Sequence, residues 1–188
     1  MNRIQTGDPA AELERLREKI ASLEERVRQL DSLAHQDSLL AIPNRRGFMR
    51  ELEGLIGRVS RYGESAAMLF VDIDGLKAIN DSFGHKAGDD ALIEVAKALT
   101  DGVRRSDYVG RLGGDEFGIL LAHATEQSAR ETAERLADQI EAAKTRCDGN
   151  DVSLGVAIGM TAIAPDDTPE AVIARADRAM YAEKSAAA

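Results

Sequence analysis

Between Pro9 and about Gln36 the apolar residues recur at alternating intervals of three and four: Leu13, Leu16, Ile20, Leu23, Val27, Leu30 and Ala34. That spacing predicts an amphipathic helix whose apolar stripe is the seam of a coiled coil. Asp8 is placed to cap it, and Pro9 suits the first helical position. Leu13, Ile20, Val27 and Ala34 take the a positions, with Leu16, Leu23 and Leu30 at d. β-Branched residues at a with leucine at d favour two parallel strands. In such a dimer each g residue meets the partner's next e residue. Those pairs are Glu12 with Arg17, Lys19 with Glu24 and Arg26 with Asp31, all opposite in sign. Exposed ion pairs contribute only about 0.2–1 kcal/mol each, so they set orientation more than strength. Residues 1–36 are therefore expected to be a dimerisation helix that pairs in parallel through residues 9–36.

The pattern changes after residue 36. Residues 44–62 read as an amphipathic helix with Phe48, Leu52, Leu55, Ile56 and Val59 on one side. The short apolar run of residues 65–73 reads as a buried strand. Helices follow over residues 75–83 and 87–99, broken at Gly84. Two apolar runs, 108–112 and 116–121, flank a glycine pair and predict a β-hairpin. Residues 125–145 read as one long charged helix and residues 152–163 as one strand. Thr168 caps a final helix that opens on Pro169 and runs to about Ser185. This is an α/β (α+β) pattern over one domain, residues 37–188. The hairpin requires antiparallel pairing, which argues against a Rossmann-type sheet.

Composition narrows the function classes. The chain has 188 residues, 44% hydrophobic and 30% charged, which is globular usage. Its net charge of −9 makes it a poor partner for nucleic acid or anionic lipid. The longest apolar runs are about six residues, far below the ~20 of a membrane-spanning helix. The first residues, MNRIQTGDPAAE, lack the apolar core of a signal peptide. Cys147 is the single cysteine, so no internal disulfide can form. That suits a reducing cytoplasm and assigns Cys147 to quiet packing.

Acidic residues stand at two turns. Asp72-Ile73-Asp74 ends the apolar strand, where a carboxylate is costly without a positive partner. The hairpin turn Gly113-Gly114-Asp115-Glu116-Phe117 adds two more carboxylates. If the two strands are neighbours, Asp72 and Asp115 converge at one edge. Hard oxygen ligands on a rigid sheet suit Mg²⁺ together with substrate phosphates. Two such ions about 3.5–4 Å apart would serve a nucleotidyl transfer.

The pentapeptide 113–117 resembles the signature of the GGDEF diguanylate cyclase family. Three further segments are similar to the family's motifs in the family's order: 37–46 with Pro43-Asn44-Arg45-Arg46, 71–89, and the closing helix 176–184. The resemblance covers about residues 37–185. It implies a largely antiparallel central sheet flanked by helices, as in polymerase palms and class III cyclases. It also implies a bacterial, cytoplasmic signalling enzyme that joins two GTP into cyclic di-GMP and two pyrophosphates across a homodimer.

The same resemblance implies residue roles. Asp72, the Ile73 carbonyl and Asp115 would hold Mg²⁺, two ions per GTP, with Mn²⁺ able to replace it. Glu116 would assist the metal or accept the 3′-hydroxyl proton; which acid is the base stays open. Asn80 and Asp89, with His85 nearby, would read guanine, and Lys77 and Lys184 would meet phosphates. Guanine offers N1–H and N2–H donors side by side, which one carboxylate can accept; adenine lacks the N1–H. Arg104 and Asp107 match the family's RxxD site for inhibition by product, and Arg135 stands where a second arginine often serves it. The chain departs from the family at Leu40, where threonine is usual, and at Gly75-Leu76, where the residues are bulkier. The family's closing Gly-Arg-Asn segment and edge strand are not matched, and Ala188 replaces an arginine. A silent nucleotide receptor and a ligand-free dimerisation module are the rival functions; the intact signature speaks against the first, and for the second, loss of the Asp115 carboxylate would change nothing measurable.

Overall fold

The computed structural model describes residues 9–147 and 150–187. The chain divides into two units, residues 1–35 and 36–188. The first is helix α1, Pro9–His35. Its seam residues Leu13, Leu16, Ile20, Leu23 and Val27 are all exposed, between 48% and 64%. An apolar stripe left in water carries a free-energy cost. Asp8 and Ala188 lie outside the described residues, as do the side chains of Leu30 and Cys147.

In the second unit, α2 (Arg45–Tyr62) begins where the Asn44 side chain accepts the Gly47 N–H and ends at Gly63. Strand β1 (Ala66–Asp74) leads into α3 (Leu76–Phe83) and α4 (His85–Asp101). Gly75 joins β1 to α3 with φ 74°, a conformation that side chains disfavour. Strands β2 (Tyr108–Arg111) and β3 (Glu116–Ala122) form the expected hairpin. Helix α5 spans Glu126–Ala142, β6 spans Gly155–Ala162 and α6 spans Pro169–Ala187.

One stretch differs from the sequence expectation. The long helix ends at Ala142, and Lys144–Cys147 (β4) pairs with Asn150–Ser153 (β5) as a small separate antiparallel ribbon. The expected strand over 152–163 is thus two strands, divided at the buried Leu154. β-Branched Thr145 and Val152 sit opposite each other in the ribbon, where strand propensity outweighs helix continuation.

The main sheet runs β2-β3-β1-β6, all antiparallel. Along β1, Ala67, Leu69, Val71 and Ile73 face a core shared with α3, α4 and α5. Ala66, Met68 and Phe70 face a second core shared with α2 and α6. Burial on both faces explains why β1 reads as an unbroken apolar run rather than an alternation. At Gly159 on β6, an added Cβ would lie 2.1 Å from the Met180 backbone N. That close approach presses α6 onto the sheet and brings its C-terminal half beside the end of β1. Among the described residues no helix is long and apolar enough to cross a membrane.

Candidate active site

The two acidic turns meet because β1 and β3 are neighbours. In their antiparallel register Asp72 lies directly opposite Glu116, and the Ile73 N–H donates to the Asp115 carbonyl at 3.1 Å. Like charges opposed across a strand pair repel, so this end of the sheet carries a concentrated negative field. Its effect is visible on Glu116. Burial pushes this carboxyl above the ordinary glutamate range, and the charges of Asp115, Asp72 and Asp177 push the same way against the pull of Arg45. The turn is closed by the Leu112 and Gly113 N–H groups, which donate to the Glu116 carbonyl at 2.8 and 3.3 Å.

Asp72 and Asp74 alternate onto the α6 side of the sheet, and α6 answers with a cation. The Lys184 ammonium donates to Asp72 and stands 2.9 Å from Asp74. Burial works against this charge, but the hydrogen bonds to the two carboxylates outweigh it and hold the ammonium above the ordinary lysine range. A cleft of about 650 Å³ opens beside Asp74 and Lys184, with Val156, Ile158 and Met160 of β6 in its wall. Asn80 and Asp89 do not line it.

A divalent cation fits the donor set. Asp72, Asp115 and Glu116 are oxygen donors on rigid strand ends, and burial with the neighbouring charges raises the proton affinity of Glu116. The space between Asp72 and Asp74 already attracts a positive group. Among the described residues no three acidic or histidine side chains form a closed metal cage.

The other sequence-read residues fall into two places. Asn80, on the last turns of α3, packs against the first turn of α4: a Cβ at Gly88 would lie 2.1 Å from Asn80 Oδ1. Gly88 therefore makes room for the amide next to Asp89. Lys77, His85 and Asp89 are exposed. Arg104, Asp107 and Arg135 line a separate hollow of about 330 Å³ with Ser128, Glu131 and Thr132. Asp107 accepts the Arg104 N–H at 3.0 Å and the Ala122 N–H at 3.3 Å, while Arg135 donates to the Gly102 carbonyl at 2.8 Å. The RxxD segment is thus a folded turn, and Arg104 and Arg135 share one hollow.

Four residues with a bearing on the site carried no assigned role in the sequence. Arg45 donates to the Leu112 carbonyl at 3.3 Å and offsets the Glu116 field. Asp177 adds to that field from α6. Asp37 and Arg111 pair at 3.2 Å beneath the turn. Arg111 lies two positions before Gly113, and Asp37, Arg45 and Asp177 fall within the motif segments 37–46 and 176–184, but long-range packing alone brings them to the turn.

Comparison with known proteins agrees with this geometry. Residues 34–188 match the family described as diguanylate cyclase, GGDEF domain. The diguanylate cyclase TpbB of Pseudomonas aeruginosa is 40% identical over 167 residues, covering 87% of this chain and 38% of TpbB. The diguanylate cyclase DosC of Escherichia coli is 38% identical, covering 79% of this chain and 32% of DosC. The chain thus spans well under half the length of these curated relatives. A sensory box/GGDEF protein from Caulobacter crescentus superposes with TM-score 0.74 at 37% identity, covering 80% of this chain and 97% of that one. The coiled coil and GGDEF domain of DgcB from Caulobacter crescentus, solved with c-di-GMP, gives TM-score 0.85 at 24% identity and covers 94% of both chains. With the fold, the signature turn and the match all in agreement, this chain belongs to the GGDEF domain family.

Proposed function

We propose that the chain is a diguanylate cyclase that condenses two GTP into cyclic di-GMP and two pyrophosphates. The observation that carries this reading is the cross-strand placement of Asp72 opposite Glu116 with Asp115 beside them. Its carboxylates concentrate where a triphosphate with its cations can be held. Asp72, Asp115 and the Ile73 carbonyl would hold two Mg²⁺ per GTP, which when bound polarise the α-phosphate and acidify the attacking 3′-hydroxyl. Lys184 would pair with phosphate oxygens in place of its carboxylate partners, and Lys77 would meet the triphosphate from α3. Asn80 and Asp89 bind the guanine edge. Glu116, with its proton affinity raised by burial and neighbouring charge, is suited to accept the hydroxyl proton at its carboxylate.

Each 3′-hydroxyl attacks the α-phosphate of the other GTP, and each attack releases one pyrophosphate. One domain holds one GTP, so the reaction requires two copies facing each other across a two-fold axis. The exposed seam of α1 supplies that dimer and raises the effective concentration of one half-site near the other. The hollow lined by Arg104, Asp107 and Arg135 is read as a product site: arginine forks suit phosphate and the guanine edge, and a carboxylate takes guanine donors.

The deciding experiment incubates purified protein, stripped of carried-over nucleotide, with Mg²⁺ and GTP, beside ATP and an Asp115→Ala control. Products are separated and identified by mass. Cyclic di-GMP from the wild type and not from the variant is expected. No product from GTP would overturn the cyclase reading in favour of a silent receptor.

A further inference from the structure

Arg111 engages all three of its guanidinium nitrogens. Nε donates to the Gly113 carbonyl at 2.9 Å and the Gly114 carbonyl at 3.2 Å. Nη2 donates to the Gly114 carbonyl at 2.7 Å, and Nη1 to the two Asp37 oxygens at 3.2 and 3.3 Å. Asp37 in turn accepts the Leu39 and Leu40 N–H groups, each at 2.9 Å. The backbone makes the same connection: the Arg111 N–H donates to the Pro43 carbonyl at 2.8 Å, and the Asp37 N–H to the Ile42 carbonyl at 2.9 Å. Both side chains are largely shielded, at 17% and 13% exposure. The pair therefore sits in a medium where a charged fork is strong.

The turn at Gly113-Gly114 has no side chains of its own to hold it, and glycine gives it wide conformational freedom. Its flanks are pinned by the Glu116 and Asp115 carbonyls. Among the described residues, the two glycine carbonyls are held by Arg111. Asp37, the other end of the fork, lies two residues beyond the end of α1.

We propose that Arg111 is a positioning residue that ties the placement of Asp115 and Glu116 to the segment of residues 36–43. The proposal rests on the cyclase reading of the site. Any displacement of Asp37 either drags the fork, and with it the glycine carbonyls, or breaks it. The acids that follow the glycines move accordingly. A 1 Å misplacement of reacting groups costs on the order of 10²-fold in rate. The guanine contacts proposed for Asn80 and Asp89 stand on α3 and α4, away from the turn, so the loss falls on kcat more than on KM.

The test uses the full chain with Arg111→Ala, Arg111→Lys, Asp37→Asn and the Asp37→Asn/Arg111→Ala double variant. Steady-state kcat and KM are measured separately, together with amide hydrogen exchange over residues 112–117. Arg111→Ala should lower kcat by about 100-fold, with a much smaller rise in KM for GTP. Lysine keeps the charge but cannot form the fork, so Arg111→Lys should recover little of kcat. Asp37→Asn should lower kcat, and the double variant should be no worse than Arg111→Ala, because both act through one tie. Exchange in the turn should accelerate in Arg111→Ala while the centre of β1 stays protected. Wild-type kcat in Arg111→Ala or Arg111→Lys, a raised KM at unchanged kcat, or unchanged exchange would overturn the proposal. Absence of product from the wild type would instead defeat the cyclase reading, and the exchange comparison would still decide whether Arg111 and Asp37 hold the turn.

Discussion

The Lys184 ammonium is bonded to the Asp72 carboxylate, a residue 112 positions away in the chain and one of the proposed metal ligands. A cation from the closing helix thus neutralises the site in the free protein. Under the cyclase reading, occupation of Asp72 by a metal ion would compete with this bond and leave Lys184 available to phosphate.

Lys184→Ala should therefore separate two properties. Without nucleotide, Mn²⁺ should bind more tightly, because its competitor is gone. Removing a nearby unit charge at an effective dielectric constant near 20 is worth on the order of 1 kcal/mol after screening, or about fivefold in affinity. With GTP, kcat/KM should fall by about tenfold or more for want of the phosphate partner. Titration of Mn²⁺ by electron paramagnetic resonance and steady-state kinetics read these independently. Weaker Mn²⁺ binding in the variant would show that Lys184 supports the metal site rather than competing for it.

A second ion pair fixes α6 itself. Arg175 donates through Nη1 and Nη2 to the two oxygens of Asp167, each at 2.7 Å, and through Nη2 to the Ala162 carbonyl at 2.9 Å. The Arg175 hydrogen bonds outweigh burial and, with the Ala164 N–H, hold the Asp167 carboxyl below the ordinary aspartate range. A depressed carboxylate stabilises the fold above its unfolded pKa, near 4, and loses that contribution as pH falls through the folded value. Asp167→Asn should thus be less stable than wild type at pH 7, by about 1 kcal/mol after allowing for the partly exposed arginine. The gap should start to narrow below about pH 4 and shrink further as pH falls through the folded value. Urea melts at pH 7 and pH 3 check this, and a gap undiminished at pH 3 would contradict it.

Much of the site was legible because its chemistry is local. The Gly-Gly turn between two apolar runs announces a hairpin, and the acids beside it announce charge at the sheet edge. The seam of α1 was legible because a strict heptad over Leu13 to Val27 has few other structural meanings. What stayed hidden was non-local or weakly patterned. The four-residue strands β4 and β5 carry polar residues such as Lys144, Arg146 and Asp151, with no alternation to mark a buried face. Their pairing depends on a partner strand, and the sequence taken alone favours extending the helix before them. Lys184 reads as a phosphate contact, yet its partners in the free protein are set by the packing of Gly159 against α6. Asp37 and Arg111 lie 74 positions apart and meet only because β2 passes beside Pro43.

Gly88→Ala should report on guanine recognition. The added methyl would meet the Asn80 amide, with Oδ1 at 2.1 Å and Nδ2 at 3.1 Å. Asn80 must swing aside, while α4 gains helix propensity worth up to about 1 kcal/mol. Stability should hold or rise, and KM for GTP should increase by about tenfold, the value of one hydrogen bond. An unchanged KM with an unchanged melting temperature would mean that Asn80 does not need its present position.

Arg104→Ala should leave initial rates intact, since Arg104 lies on the β2 approach and not at the carboxylates. It should remove the slowing of the reaction as cyclic di-GMP accumulates, because the hollow it shares with Asp107 and Arg135 loses its first phosphate partner. Progress curves with and without added product measure this. Equal inhibition of wild type and variant would refute the product site.

The exposed seam of α1 should make activity depend on dimerisation. Leu23 is 54% exposed and Ile20 56% exposed on the single chain. Burying such side chains contributes about 1.5–3 kcal/mol each, so a charged residue in the seam should be decisive for a coil of only a few heptads. The wild type is expected to be dimeric at micromolar concentration and Leu23→Asp monomeric. The substitution should also make the rate per protomer rise with protein concentration, since both half-sites must then meet by diffusion. Inserting one residue after Ala34 keeps the seam but rotates the downstream chain about the helix axis by about 100°. That variant should stay dimeric and change turnover strongly. Light scattering gives the mass and product formation the rate; a monomeric wild type would remove the coil from the mechanism, and an insertion with unchanged turnover would show that orientation at this join does not matter.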